Sequence, residues 1–263
     1  MVTRRPLRRF SRPIIPIINK RMKRVVDFHT HILPCMDDGS TDAATSLKML
    51  RAEVMHGVGT VVLTPHFYPD KERPEDFLKR REASLVLLEK AMEEGEESFP
   101  KLLVGAEVRY FEGMSDCEYL SKLAISQTNL IMIEMPFVKW NKRMLSELSE
   151  INEKQGLIPI IAHIDRYIGV FHPCVCFDDL ACLPVLIQMG TDFFVRRSTR
   201  KRAIKTFKRG IVHLFGTDAH NMGSRRPNMD KAVEILTRTL GDGAIEYINS
   251  IENDILNSKQ GEI

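Results

Sequence analysis

Seven short apolar runs, most of them followed by a stretch of helical character, constrain this chain more than any other feature. They are "VVDFH", "TVVLTPH", "LLVGAE", "NLIMIEM", "LIPIIAH", "TDFFV" and "IVHLFGTDAH", all within residues 25–220. Runs that are apolar nearly throughout, rather than alternating, belong to strands buried on both faces, as in a parallel sheet covered by helices. Helical spacing predicts helices over Ala43–His56 with Leu47, Leu50 and Val54 as its apolar positions, Pro74–Glu94, Lys142–Gln155, Phe177–Met189 and Asn228–Leu240. The basic stretch Arg196–Arg209 reads as a further helix, with Ala203, Ile204 and Phe207 inward. Seven βα units in about 240 residues point to a closed α/β barrel, an open doubly wound sheet being the alternative.

Composition narrows the class further. With 263 residues and 43% apolar content, the chain can bury the core of one large domain. No apolar run approaches the ~18 residues that cross a bilayer. The "PIIPII" stretch is short and broken by proline, so no secretory signal is expected. Five cysteines, odd in number and irregularly spaced, indicate a reducing, cytoplasmic setting rather than a disulfide framework. Residues 1–24 carry nine Lys/Arg and no acid, so the formal +3 of the whole chain becomes −6 over residues 25–263. The reading is a basic, flexible arm (1–24) followed by one domain (25–263). Such an arm suits an anionic membrane surface, each basic side chain adding about 1 kcal/mol near it.

The position of the polar residues carries the functional argument. Six of the seven runs end, on their C-terminal side, in side chains able to bind metal: His29 and His31, His66, Glu107, Glu134, His163, and Asp218 with His220. A single histidine after a strand is ordinarily a satisfied structural residue; six like endings are not. In parallel α/β barrels the C-terminal strand ends share one mouth. Buried carboxylates and imidazoles there need compensation, which cations supply. Adding Asp38 from "DDGS" gives nine candidate ligands, too many for one tetrahedral zinc and suited to two or three divalent ions bridged by carboxylates. A nitrogen and oxygen set without thiolate suits manganese, iron or zinc.

Together "DFHTHILPCMDDGS", "TPH", "GAE", "IEM", "IIAHIDRY" and "GTDAHN" closely resemble the polymerase and histidinol phosphatase (PHP) superfamily. Within it they resemble the bacterial protein-tyrosine phosphatases of capsule and exopolysaccharide operons, over residues 25–229. The resemblance implies a PHP-type (β/α)7 distorted TIM-like barrel with its metal site at the C-terminal strand ends. It implies three ions, commonly manganese: His29, His31, Glu107 and Asp218 on one, Glu107, Glu134 and His163 on a second, Asp38, His66 and His220 on a third. Asp27 is expected to orient a histidine and Asp37 to shape a turn. Arg166 in "AHIDRY" and Arg225 in "HNMGSRRPNM" fall where relatives grip phosphate, a task suited to the guanidinium fork. Met229 is read as core.

The implied activity is hydrolysis of phosphotyrosine in protein, the partner being the phosphorylated tail of a bacterial tyrosine kinase. No cysteine has an arginine six residues later, so the C-x5-R thiol mechanism is closed. Two features depart from the pattern: the basic arm, and "GTDFFVRRSTRKRAIK", which replaces a more polar stretch. The alternatives are a histidinol-phosphatase-like enzyme on small phosphomonoesters, a PHP-type nuclease, and a non-catalytic module stabilised by metal. Nucleic acid is not the expected partner. The expected location is the cytoplasm, peripheral to the inner membrane face.

Overall fold

The computed structural model describes residues 25–94, 97–168 and 174–257. The basic segment 1–24, and the last six residues of the expected 25–263 domain, lie outside them. Strands β1 (Val25–Thr30), β2 (Val58–Leu63), β3 (His66–Phe67), β4 (Lys101–Val104), β5 (Glu107–Arg109), β6 (Leu130–Glu134), β7 (Ile158–Ile161), β8 (Leu186–Gly190) and β9 (Leu214–Gly216) pair in parallel throughout. The segments β2 and β3 follow each other along one strand path, as do β4 and β5. Gly105 N donates to Leu63 O and Glu107 N to Pro65 O across the two breaks. Among the described residues the sheet therefore has seven strand positions, each beside the next in chain order.

The last position meets the first. Thr30 bridges Ala219, His31 N donates to Ala219 O (2.9 Å) and Asp218 N donates to His29 O (2.8 Å). This contact is also where Gly216 lies against β1: a Cβ there would stand 2.5 Å from His29 Cβ and 2.7 Å from Gln188 Nε2. Only a residue without a side chain permits that approach. Beneath it, Asp27 ties the two strands, accepting from Thr217 N (2.9 Å) and Thr217 Oγ1 (2.6 Å).

Two apolar layers follow from strand alternation. Val26 and Phe28, Leu130 and Met132, and Ile158 and Ile160 join one cluster, the inner face of the barrel below its mouth. Ile131, Ile133 and Ile161 join the larger cluster, which packs the outer faces on the helices. Between Asp27 and Thr30, β1 gains one residue over β2, a bulge of the kind that re-aims side chains. Phe28 stays with the inner cluster while His29 turns to the mouth.

The helices are α1 (Ala43–Met55), α2 (Pro74–Glu93), α3 (Leu120–Leu123), α4 (Lys142–Gln155), α5 (Phe177–Leu180), α6 (Thr191–Val195), α7 (Arg197–Phe207), α8 (Met229–Leu240) and α9 (Gly243–Asn257). The fold is the PHP-type α/β barrel that the sequence implied, with two corrections. The sixth strand is Leu186–Gly190, overlapping the end of the span read as a helix over Phe177–Met189, and "TDFFV" is helix α6 rather than a strand. "LIQMG" is buried on nearly every residue, so it has no period to distinguish strand from helix. The aromatics of "TDFFV" favour strands intrinsically, but burial of Phe193 and Phe194 in the core overrides this. The face of α1 is also rotated from expectation. Ser46, Met49, Leu50 and Glu53 are buried, while Val54 is 42% exposed. Ser46 Oγ donates to Ile32 O (2.6 Å), which fixes that rotation. Met229 is core, as expected. Among the described residues no helix is long and apolar enough to cross a membrane.

Candidate metal centre

Every strand end read as metal-binding in the sequence faces the same mouth. Glu107, at the start of β5, lies at its middle. Its Oε2 stands 3.1 Å from His29 Nε2, 3.3 Å from His31 Nε2 and 3.0 Å from His66 Nδ1, and its Oε1 stands 2.8 Å from His163 Nε2. Asp218 Oδ1 lies 3.4 Å from His31 Nε2 and 3.7 Å from His29 Nε2. Glu134 Oε1 is 3.7 Å from His163 Nε2. On the outer side, Asp38 Oδ1 is 3.3 Å from His220 Nε2 and 3.5 Å from His66 Nε2.

Among the described residues, three groups of donor atoms could hold a cation: His31, Asp38, His66 and His220; His29, His31 and Glu107; and His66, Glu107 and Glu134. These overlap the expected sets but share residues differently. His31 also joins the Asp38 group, and His66 faces both that group and Glu107.

Tautomers support a cation at the middle. His29 Nδ1 lies 3.4 Å from Gln188 Oε1, and His31 Nδ1 lies 2.7 Å from Asp37 Oδ2. Both partners are acceptors, so each Nδ1 carries the proton and each Nε2 presents a lone pair. Those two Nε2 atoms are 3.1 Å apart, beside the carboxylates of Glu107 and Asp218. Lone pairs and anions this close repel unless a proton or cation sits between them. Among the described residues, buried Glu107 Oε2, His66 Nδ1 and His220 Nε2 also make no hydrogen bond. The donor set thus fits divalent cations.

The electrostatics agree. Burial alone would raise the Glu107 carboxyl pKa, but His29, His163 and His31 reverse this and hold it well below the ordinary value. Burial likewise opposes charge on His31, yet Asp218, Asp37 and Glu107 outweigh it and raise His31 well above its usual pKa, so without a cation a proton takes the place of one at its Nε2. Burial, helped by His31, pushes His220 down to about 4, so its ring is neutral and able to donate a lone pair. Two of these residues hold left-handed backbone, His163 (φ 32°) and Asp218 (φ 52°), a cost that clusters at functional sites.

Both arginines reach the mouth. Arg166 Nη2 donates to Asp218 Oδ2, and Arg225 Nη2 donates to the same oxygen at 2.8 Å. Arg225 Nη1 also approaches Asp38 Oδ2 (3.5 Å).

Supporting residues differ from the sequence reading. Asp37 is not only a turn residue: it holds His31, and it accepts from His66 N (2.8 Å) and Gly39 N (2.9 Å). Gly39 completes this loop, since a Cβ there would stand 2.2 Å from His31 O. Asp27 orients His29 through the backbone, accepting from His29 N (3.1 Å), rather than through the ring. Gln188 was missed altogether. It contacts His29, accepts from His163 N and reaches Gly216 O, but the strand carrying it was not recognised.

A parallel barrel whose mouth gathers histidines, carboxylates and two arginines defines the class: a PHP-type protein with a convergent array of candidate metal ligands. The family model for capsular polysaccharide synthesis, CpsB/CapC, matches residues 25–256. The chain belongs to the CpsB/CapC family. It is 28% identical over 228 residues to tyrosine-protein phosphatase YwqE of Bacillus subtilis, covering 82% of this chain and 85% of that one. It is 25% identical over 232 residues to tyrosine-protein phosphatase CpsB of Streptococcus pneumoniae, covering 82% and 91%. A solved structure, reported with YwqE and CpsB as metal-dependent tyrosine phosphatases, superposes with a TM-score of 0.71 at 25% identity over 88% of this chain and 94% of that one.

Proposed function

We propose that this chain is a metal-dependent protein-tyrosine phosphatase that acts on the phosphotyrosine-bearing tail of a bacterial tyrosine kinase in capsule or exopolysaccharide synthesis. The observation that carries this is the facing pair of Nε2 atoms on His29 and His31, 3.1 Å apart beside Glu107 and Asp218. The relatives YwqE and CpsB, both tyrosine-protein phosphatases, support the reaction class.

The proposed ligands are His29, His31, Asp38, His66, Glu107, Glu134, His163, Asp218 and His220, holding two or three divalent ions, manganese foremost. When bound, such ions supply Lewis acidity toward a phosphoryl oxygen and lower the pKa of water toward neutrality. The protein supplies the rest. Gln188 and Asp37 fix the tautomers of His29 and His31, so the rings enter the site with their lone pairs inward. Arg166 and Arg225 approach from loops after β7 and β9 and meet at Asp218. From there they can turn to a phosphate's outer oxygens, where charge builds in the transition state. The free cysteines take no part, since none sits in a C-x5-R motif.

The setting follows from the same reading. The chain acts in the cytoplasm, and its basic arm, nine Lys/Arg with no acid over residues 1–24, draws it to anionic membrane. The test is a substrate panel: manganese-loaded protein on phosphotyrosine peptide, histidinol phosphate and single-stranded DNA. Turnover of the peptide foremost is expected; preference for histidinol phosphate or cleavage of DNA would overturn the assignment.

A further inference from the structure

The loop that leaves β6 for α4 carries an exposed apolar tip on a fixed base. Tyr167 Oη donates to Met135 O (2.8 Å), Trp140 Nε1 to Pro136 O (3.0 Å) and Trp140 N to Cys174 O (2.8 Å). Trp140 and Tyr167 are themselves buried, with rings 5.1 Å apart. Between these anchors Phe137 and Val138 stay 60% and 53% exposed. Phe137 rests one side on Tyr167 and leaves the rest of its ring, with Val138, in water. An anchored apolar edge of this kind is free to meet a ligand.

That tip belongs to the mouth. Phe137 lies three residues beyond Glu134, and its ring packs on Tyr167 (5.2 Å between centroids). Tyr167 follows Arg166 directly and lies 5.6 Å from the His163 ring. Two strand positions away, beyond β5, Tyr68 stacks on His66 (5.1 Å, 21°), so aromatic surface recurs along this rim.

We infer that Phe137, with Val138 beside it, is the wall against which the aromatic ring of a phosphotyrosine lies while its phosphate is held below. This rests on the phosphatase reading and adds the selection of aryl over alkyl esters. A phenyl ring is joined to its phosphate through a single oxygen, so a phosphate seated among the arginines leaves the ring at the rim. There it gains apolar contact and an offset or edge-on aromatic partner. The aliphatic carbons of an alkyl phosphate offer no such partner.

The test compares kcat and KM on phosphotyrosine peptide, phenyl phosphate and glycerol 2-phosphate for the metal-loaded full chain and for Phe137→Ala, Val138→Ala and Phe137→Trp. Phe137→Ala should raise KM for both aryl substrates about tenfold, the size of a lost aromatic contact. Its bound metal, its kcat and its turnover of glycerol 2-phosphate should be unchanged, and Phe137→Trp should restore the aryl KM. Equal losses on aryl and alkyl substrates, or none on either, would overturn the wall. A dimer in solution that Phe137→Ala dissociates would instead assign the tip to a second copy and also overturn it. If the unaltered protein turns over glycerol 2-phosphate and ignores both aryl substrates, the phosphotyrosine reading itself fails. If it accepts them and Phe137→Ala loses nothing, only the wall is withdrawn.

Discussion

Replacing Asp37 by Asn tests whether the site depends on tautomer control by residues that never touch the ions. Asp37 is largely buried and uses both oxygens: Oδ2 faces His31 Nδ1 at 2.7 Å and accepts His66 N at 2.8 Å, while Oδ1 accepts Gly39 N at 2.9 Å. An asparagine has one acceptor and one donor group for three donors. If its oxygen faces His31, its amide meets Gly39 N, donor against donor. If the amide turns to His31, it selects the tautomer with hydrogen on Nε2, which points that hydrogen at Glu107 and removes the ligand. Losing such an orienting carboxylate typically weakens metal binding by about 10–100-fold, or about 1.4–2.8 kcal/mol. The assay is calorimetric titration of manganese into chelator-stripped protein, with turnover measured at saturating metal. The variant is expected to bind at least one ion about tenfold or more weakly and to recover much of its turnover at high metal. Wild-type affinity and turnover in Asp37→Asn would refute the argument and return Asp37 to a plain turn role.

Arg166→Ala and Arg225→Ala should each lower turnover of phosphotyrosine peptide by roughly a hundredfold with metal content unchanged. Arg226→Ala, one residue from Arg225 but outside the Asp218 contact, should change turnover little; steady-state kinetics with elemental analysis decides. Glu252, on α9 and 2% exposed, has its pKa raised from 4.5 to about 8 by burial and the Asp27 charge, against the hydrogen bond from Val26 N. The folded state therefore favours the neutral acid, and that contribution is present below pH 4.5 and lost as pH rises through about 8. Glu252→Gln should flatten the decline in melting temperature between about pH 4.5 and 8 and be the more stable form at the upper end, by up to about 5 kcal/mol. Deleting residues 1–24 should leave turnover of a soluble peptide unaltered and reduce sedimentation with anionic vesicles at low salt. Equal sedimentation of both forms would end the tether reading.

What the sequence disclosed and what it hid have one cause. His29, Glu107, His163 and Asp218 were visible because each polar residue closes an apolar run, and parallel barrels bring those ends together. Helix α4 was legible to the residue: Asn141 caps it by accepting from Met144 N, and its apolar positions keep a helical period. Leu186–Gly190 was hidden because a strand buried on both faces carries no period, and Gln188 went with it. Asp37 looked like a turn residue because Asp before Gly ordinarily is one; only the folded loop shows its carboxylate turned to His31. Glu53 escaped for a related reason. A charged residue on a surface helix reads as solvated, yet this one is fully buried, and burial, with the Asp27 charge beside it, raises its pKa well above the ordinary value.

The most direct test of the account is elemental analysis of the protein alongside phosphotyrosine turnover through a chelator titration, run on the natural chain and on Glu107→Gln. The account predicts two or three divalent ions per chain, activity that falls with their removal and returns with manganese, and indifference to thiol alkylation. Because Glu107 lies within reach of His29, His31, His66 and His163, its Gln variant should lose more than one ion and nearly all turnover. Full activity in protein shown to be free of metal, or a Glu107→Gln variant with its full metal content and undiminished turnover, would contradict it.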